Sequence, residues 1–315
     1  MDATYQQWVA PYLETIKEQG YYEDDELYVA LVNYDDNPFF PKELRDHSNR
    51  LKRENFKKWL HVYGGEPNMS YLDSIIEPEW FDAAVNAHQK LGFEPRGERV
   101  CGFDPADTGR DAKARTLRYG VYIDDCFSWL DGDITDATQR AVDDALGFGA
   151  ADFVYDNVGN GASVKTFATM GGRPAGLSFV GFGAGDGVDD PDSQYLDSER
   201  LNKDMFRNKR AQYWWLLRDR FFRTFEAVDK GRYHDPLTLI SINGDMPKLA
   251  ELKSELVKVQ RKRTAGVRLV QIESKDEMRK RGIPSPNLAD SLMMSFAVQP
   301  KSDFKYQRRP VGRRR

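Results

Sequence analysis

"ERVCGFDPADTGRDAK", residues 98–113, sets Asp104, Asp107 and Asp111 within eight positions at the end of a short apolar run. Carboxylates so close repel one another and resist burial unless something positive lies between them. The stretch is therefore either a solvated loop or a set of ligands waiting for a cation. The run itself, "RVCGFD", reads as a β-strand that ends on Asp104.

Working outward, "RTLRYGVYI" (115–123) alternates Leu117, Tyr119, Val121 and Ile123 as a half-buried strand. "CFSWLDGD" (126–133) reads as a third strand, reached through a tight Asp124–Asp125 turn. Three strands with short connections are most simply an antiparallel meander. "TDATQRAVDDALGFG" (135–149) predicts a helix with a Thr or Asp N-cap and a terminal Gly. "ADFVYD" (151–156) is compact and apolar, as a central parallel strand buried on both faces should be. "GASVKTFATMGG" (161–172) predicts a second helix and "GLSFVGF" (176–182) a fifth strand. There follow a mobile Gly/Asp-rich loop (183–193), a long aromatic helix (203–228), a strand (236–242), a basic helix (246–263), a strand (266–273) and a helix from Ser285. The fold class is α/β: a mixed sheet of three antiparallel strands followed by parallel ones, flanked by helices. Residues 1–95 form a mixed α/β extension with a strand at 25–34, a turn at 35–41 and a helix at 42–64. They lack a complete core pattern of their own. Residues 96–300 form the principal domain, and the basic segment 301–315 a flexible tail.

In that topology the first strand lies at the sheet centre beside the fourth, and both run parallel. Asp104 and Asp156 then meet at one sheet edge, where α/β sheets usually place their ligands. A third acid comes from "GIPSPNLADSLMMSFA" (282–297), where Ser285 reads as an N-cap and Pro286 as the first helical residue. Leu288, Leu292 and Phe296 form its apolar stripe, and Asn287 and Asp290, three apart, share the neighbouring face. Three acids without a histidine or cysteine shell favour Mg²⁺ or Mn²⁺. Two such ions about 3.5–4 Å apart can clamp the attacking water and the leaving oxygen of a phosphodiester. Asp104, Asp156 and Asp290 are the expected catalytic ligands; Asn287, Asp107 and Asp111 are further candidates.

At 315 residues, 40% hydrophobic and 30% charged, the chain has the composition of a soluble protein of one or two domains. No apolar run reaches the roughly 18 residues of a membrane span, and the start lacks the apolar core of a signal peptide. Cys101 and Cys126 are too few for a disulfide framework and read as buried thiols. An intracellular setting follows. The net charge of −4 argues against coating nucleic acid by electrostatics alone. Positive charge is nevertheless clustered at 206–212, 258–266, 277–282 and 306–315, which could line a phosphate-bearing substrate's path.

In order, "GFDPADTGRDAKA", "VYDNVGNGASV", "FRNKRAQYWWLLRD" and "KRGIPSPNLADSLMMSF" resemble the nuclease domain of tailed-phage terminase large subunits. Upstream, "LVNYDDNPFFPKEL" resembles the segment that closes the family's packaging ATPase. The resemblance implies a ribonuclease H-like fold, with Asp104, Asp156 and Asp290 matching the acidic triad. Asn287 falls where some members carry a metal-site histidine. It implies metal-dependent cutting of concatemeric double-stranded DNA at the start and end of head filling, with Mg²⁺ or Mn²⁺ as cofactor. The implied partners are double-stranded DNA, the portal protein, the small terminase subunit and the ATPase half. The implied place is the cytoplasm of the infected host, transiently at the procapsid portal, with no membrane. One departure is large: the ATPase phosphate-binding loop is missing from this chain. "GNGASVKT" (159–166) puts Val164 where the second glycine is needed, so no ATP hydrolysis is expected.

The aromatics Trp214, Trp215, Phe221 and Phe222 are helically spaced, which favours core over base stacking. Asn208, Lys209, Arg210 and Lys275 are the DNA-contact candidates, and no histidine is assigned to chemistry. Two other functions compete. A resolvase- or transposase-type nuclease would prefer branched duplex. A docking module that grips DNA without cutting it would be indifferent to loss of Asp104 or Asp290.

Overall fold

The computed structural model describes residues 8–54 except 31, 33, 35 and 36; residues 59 and 62–64; and residues 74–299 except 107–110, 171, 173, 197 and 263–267. Asp107 and the tail 301–315 lie outside them. The chain divides into two compact units, Met1–Asp73 and Ser74–Arg315.

In the first unit, helix α1 (Leu13–Gln19) leads into an antiparallel pair, β1 (Tyr21–Glu23) and β2 (Tyr28–Ala30). Among the described residues of the strand expected over 25–34, Tyr28–Ala30 are in β2. Helix α2 spans Lys42–Glu54. Buried Ser48 on α2 accepts a hydrogen bond from Trp59 Nε1 at 2.8 Å, and Tyr34 packs against Phe40 and Tyr63.

The second unit starts earlier than the expected boundary at 96. Its short helices α3 (Pro78–Ala84) and α4 (Ala87–Leu91) belong to it because Trp80 packs on Phe222 and Phe81 on Phe221. Strands β3 (Arg99–Asp104), β4 (Lys113–Tyr119) and β5 (Tyr122–Trp129) form the antiparallel meander. Its turn lies at Gly120–Val121, not at Asp124–Asp125. Leu117 pairs with Asp125 and Arg118 with Ile123, so Asp124 is the extra residue of a bulge inside β5. An alternating apolar pattern runs straight through a two-residue turn, which is why 115–123 read as one strand.

Helix α5 (Ile134–Phe148) starts on a capping box, Asp133 with Asp136, and stops at Gly149. β6 (Asp152–Asp156) and β7 (Ser178–Phe182), separated by the short α6 (Val164–Ala168), extend the sheet in parallel. Helices α7 (Asn202–Met205) and α8 (Lys209–Lys230) replace the single helix expected from 203. β8 is two residues, Ser241–Ile242, parallel to β5. Helix α9 (Leu249–Leu256) is half the expected length. Of the strand expected over 266–273, the described residues from 268 on form only isolated bridges at Val270 and Ile272. Helices α10 (Lys275–Lys280) and α11 (Asn287–Ser295) close the unit.

The sheet order is β7-β6-β3-β4-β5-β8, a mixed sheet with helices on both faces, as expected of a ribonuclease H-like fold. One face carries α5 over Cys101, Phe103 and Phe153; the other carries α8, α9 and α11 over Val100, Val154 and Ile123. β3 lies at the centre, with β6 on one side and β4 on the other. Gly102 makes room for α11: a Cβ there would lie 2.2 Å from the Ser291 carbonyl oxygen. This close approach brings the helix carrying Asp290 onto the strand that ends at Asp104. Among the described residues no helix is long and apolar enough to cross a membrane.

Candidate metal centre

Asp104 and Asp156 end the adjacent parallel strands β3 and β6 at one edge of the sheet. Gly161 shapes the loop beyond: a Cβ there would meet the Asp156 carbonyl oxygen at 1.7 Å. That loop, "GNGASVKT", folds its backbone against Asp156 and buries Val164.

Asp290 joins them from the first turn of α11, which the sequence had start at Ser285. The N-cap is Pro286, and no side chain caps it directly. Glu255 of α9 does this work from outside by accepting the Ala289 N–H at 3.0 Å. Burial, helped by the nearby Asp290, pushes the Glu255 carboxyl up to about 8 despite that bond. Glu255 was missed in the sequence, where it reads as one more charge on a solvated helix.

A lysine lies among the acids. Lys275 Nζ is 3.0 Å from Asp104 Oδ2 and 3.4 Å from Asp290 Oδ2. Asp104 and Asp290 are each 4% exposed, so neither is a solvated loop residue. Burial, with repulsion from Asp290 and Asp156, pushes Asp104 up to about 7 against the pull of Lys275. Asp156 is also raised, chiefly by burial, although the Val158 N–H supports its Oδ1 at 3.0 Å. Burial disfavours the Lys275 ammonium, yet Asp104 and Asp290 more than offset it and raise its pKa.

Asp290 is held asymmetrically. Its Oδ1 accepts from Trp214 Nε1 at 3.1 Å and from Arg210 at 3.4 Å. Its Oδ2 is buried without a hydrogen-bond partner among the described residues. A buried carboxylate oxygen left in that state is costly unless a cation completes it. All three acids offer hard oxygen, the donor type that Mg²⁺ and Mn²⁺ take. As they stand, no three His, Cys, Asp or Glu side chains among the described residues are grouped so as to hold an ion. The place between Asp104 and Asp290 is taken by the Lys275 ammonium.

The other candidates are elsewhere. Asp111 is exposed and paired with Arg279 at 3.0 Å. Asn287 is buried, but it lines a cavity of about 290 Å³ with Asp111, Glu255 and Met278. Of the DNA-contact candidates, Asn208 caps α8 through the Ala211 N–H, and Lys209 pairs with Asp189 at 3.1 Å. Arg210 donates to the Glu273 carbonyl at 2.6 Å as well as to Asp290. These groups are engaged inside the protein, as a helix start packed on its neighbours requires. The loop expected to be mobile is engaged too: Asp186 and Ala184 accept the Lys209 and Arg210 N–H groups.

Residues 107–298 match the family described as the terminase RNase H-like domain, and residues 1–66 that described as the phage terminase large subunit. Among solved structures, the chain is similar to the nuclease domain of the large terminase subunit gp2 of bacterial virus Sf6. Identity is 37% and the TM-score 0.66, covering 70% of this chain and 97% of that one. A lysine-to-alanine variant of the same domain, with manganese and β-thujaplicinol, matches at 36% identity with a TM-score of 0.66 over 70% and 97% of the two chains. The variant with calcium matches at 36% with a TM-score of 0.65 over 70% and 98%. No curated protein matches the chain.

Proposed function

The chain belongs to the phage terminase large-subunit family and carries its ribonuclease H-like nuclease domain, and from that premise we propose that it is the divalent-cation-dependent endonuclease of viral DNA packaging. It cuts concatemeric double-stranded DNA when head filling starts and when it ends. The observation that carries this reading is the meeting of the buried Asp104 and Asp290 at the Lys275 ammonium, with the half-buried Asp156 ending the neighbouring strand. Asp104, Asp156 and Asp290 would hold Mg²⁺ or Mn²⁺, two ions by the family's pattern. When bound, the ions supply Lewis-acid stabilisation of the charge that develops on the phosphodiester.

The chain's own residues do the rest. Burial of Asp104 and Asp290 keeps bulk water from screening their charge, so a cation is attracted strongly. The Val158 N–H and the Trp214 and Arg210 donors keep Asp156 and Asp290 from rotating away. Lys275, about one-third exposed, balances part of the acidic charge and must turn outward when a cation enters. From there its ammonium can pair with a backbone phosphate of the DNA. Double-stranded DNA is the substrate, and delivery by the ATPase half, with the portal and small subunit, sets where cutting happens in the host cytoplasm. Nucleotide hydrolysis is assigned to that other half.

The test is supercoiled plasmid incubated with the chain and Mn²⁺, Mg²⁺ or EDTA, beside Asp104→Ala and Asp290→Ala. Nicking and linearisation that need the metal and vanish in both variants are expected. Cleavage that persists in EDTA or survives both substitutions overturns the proposal. Folded protein that cuts with neither metal favours the docking module.

A further inference from the structure

Arg210 and Trp214 are four residues apart, one turn of α8, and so project from the same helix face. Both aim donors at one atom: Trp214 Nε1 is 3.1 Å and an Arg210 guanidinium nitrogen 3.4 Å from Asp290 Oδ1. The two side chains also pack on each other, with the Arg210 guanidinium 6.0 Å from the Trp214 ring centre. Trp214 is fully buried, so its ring cannot turn without moving the core formed with Phe221 and Leu217. The N–H is therefore a fixed donor.

We propose that Trp214 is a positioning residue for Asp290. Its indole N–H, with Arg210 one turn earlier, holds Oδ1, so that Oδ2 stays turned toward the Lys275 ammonium that joins it to Asp104, the place a cation would take. The argument is one of division of labour. A carboxylate that ligates a metal needs one oxygen free and its torsion fixed, and hydrogen bonds to the other oxygen do both. Of the two donors the indole is neutral, so unlike the Arg210 guanidinium it fixes the carboxylate without drawing on the charge that a cation would use. Oδ2, which makes no hydrogen bond and meets only the Lys275 ammonium at 3.4 Å, is the counterpart of the doubly held Oδ1. The aromatic run "YWW" is thus not uniformly core: Trp215, next in sequence, stacks under Arg218 and Arg261 and has no donor toward the acids.

This inference rests on the proposed metal-dependent site, and the experiment separates the two. Mn²⁺ binding to the full chain is measured by titration calorimetry without DNA, for the wild type, Trp214→Phe and Trp215→Phe. Phe keeps most of the ring and removes the N–H. Trp214→Phe should weaken Mn²⁺ binding by about 10–100-fold, with cleavage at saturating Mn²⁺ reduced far less; Trp215→Phe should bind as the wild type does. Equal binding by all three, or equal weakening in both variants, overturns the positioning role alone. A wild type that binds no Mn²⁺ overturns the site and the role together. Should Trp214→Phe not fold, the wild type still decides the matter. Its six tryptophans give six indole N–H resonances. Asp290→Asn, or Mg²⁺ added to the wild type, should shift one of them strongly, and an unmoved set overturns the proposal.

Discussion

The two ends of α11 bury charge in opposite ways. Near its C-terminal end Arg118, 1% exposed, donates to the Gly120, Ser295 and Val298 carbonyls and to Ser295 Oγ, and lies over the Phe296 ring. Its donors close the exposed carbonyls of a helix end, which is where a cation is favoured. At the N-terminal end Asp290 has one oxygen held twice and the other without a hydrogen bond, within the influence of Asp104, Asp156 and a single lysine. A satisfied buried charge is architecture; a crowded and unsatisfied one stores the potential that binds a ligand.

The sharpest way to break the comparison is to neutralise each end in turn. Asp290→Asn keeps the shape of the side chain, so cleavage should fall about a thousandfold, equivalent to about 4 kcal/mol, while the melting temperature changes little. Plasmid cleavage rates and thermal unfolding on the same sample check both halves. Arg118→Met should do the reverse. Stranding several buried carbonyls costs about 3 kcal/mol, or about 6–12 °C for a unit of this size. Cleavage per folded molecule should persist. A variant that lost activity without losing stability would erase the distinction.

A smaller effect is set by pH. With Asp104 raised to about 7, the folded protein binds a proton between about pH 4 and 7 that the unfolded chain has released. Stability without metal therefore falls as pH rises across that window, and Asp104→Asn should flatten the slope in denaturant titrations. Metal binding runs the other way, because the proton competes with the cation. The Mg²⁺ concentration for half-maximal cleavage should rise up to about tenfold for each pH unit below 7, and a flat profile would mean that Asp104 is not a ligand.

Much of this was legible in the sequence. Strand β6, the Gly149 stop of α5 and the meander order followed from periodicity and Gly punctuation, whereas the N-cap of α5 is Asp133 and not the expected Thr or Asp of 135–136. The convergence of Asp104 and Asp156 followed from strand order alone, since parallel neighbours must end together. The turn at Gly120 was misread because Leu117, Val121 and Ile123 keep one alternation on both sides of it. The segment before residue 96 was assigned elsewhere because Trp80 and Phe81 find their core only against α8, well over a hundred residues away. That Asp111 pairs with Arg279 was not legible, because proximity along the chain is no measure of direction in space.

Composition, pattern and order along the chain were enough to specify a mixed α/β sheet and the side-by-side strand ends at Asp104 and Asp156, because each depends on local rules and on strand adjacency. Which oxygen of Asp290 is held, that Lys275 stands between two carboxylates, that Glu255 caps the helix of Asp290, and that Trp214 serves the site while Trp215 does not were decided only by tertiary packing. Those contacts join residues as many as 171 positions apart, and a contact between elements depends on rotation and depth, which no local pattern carries.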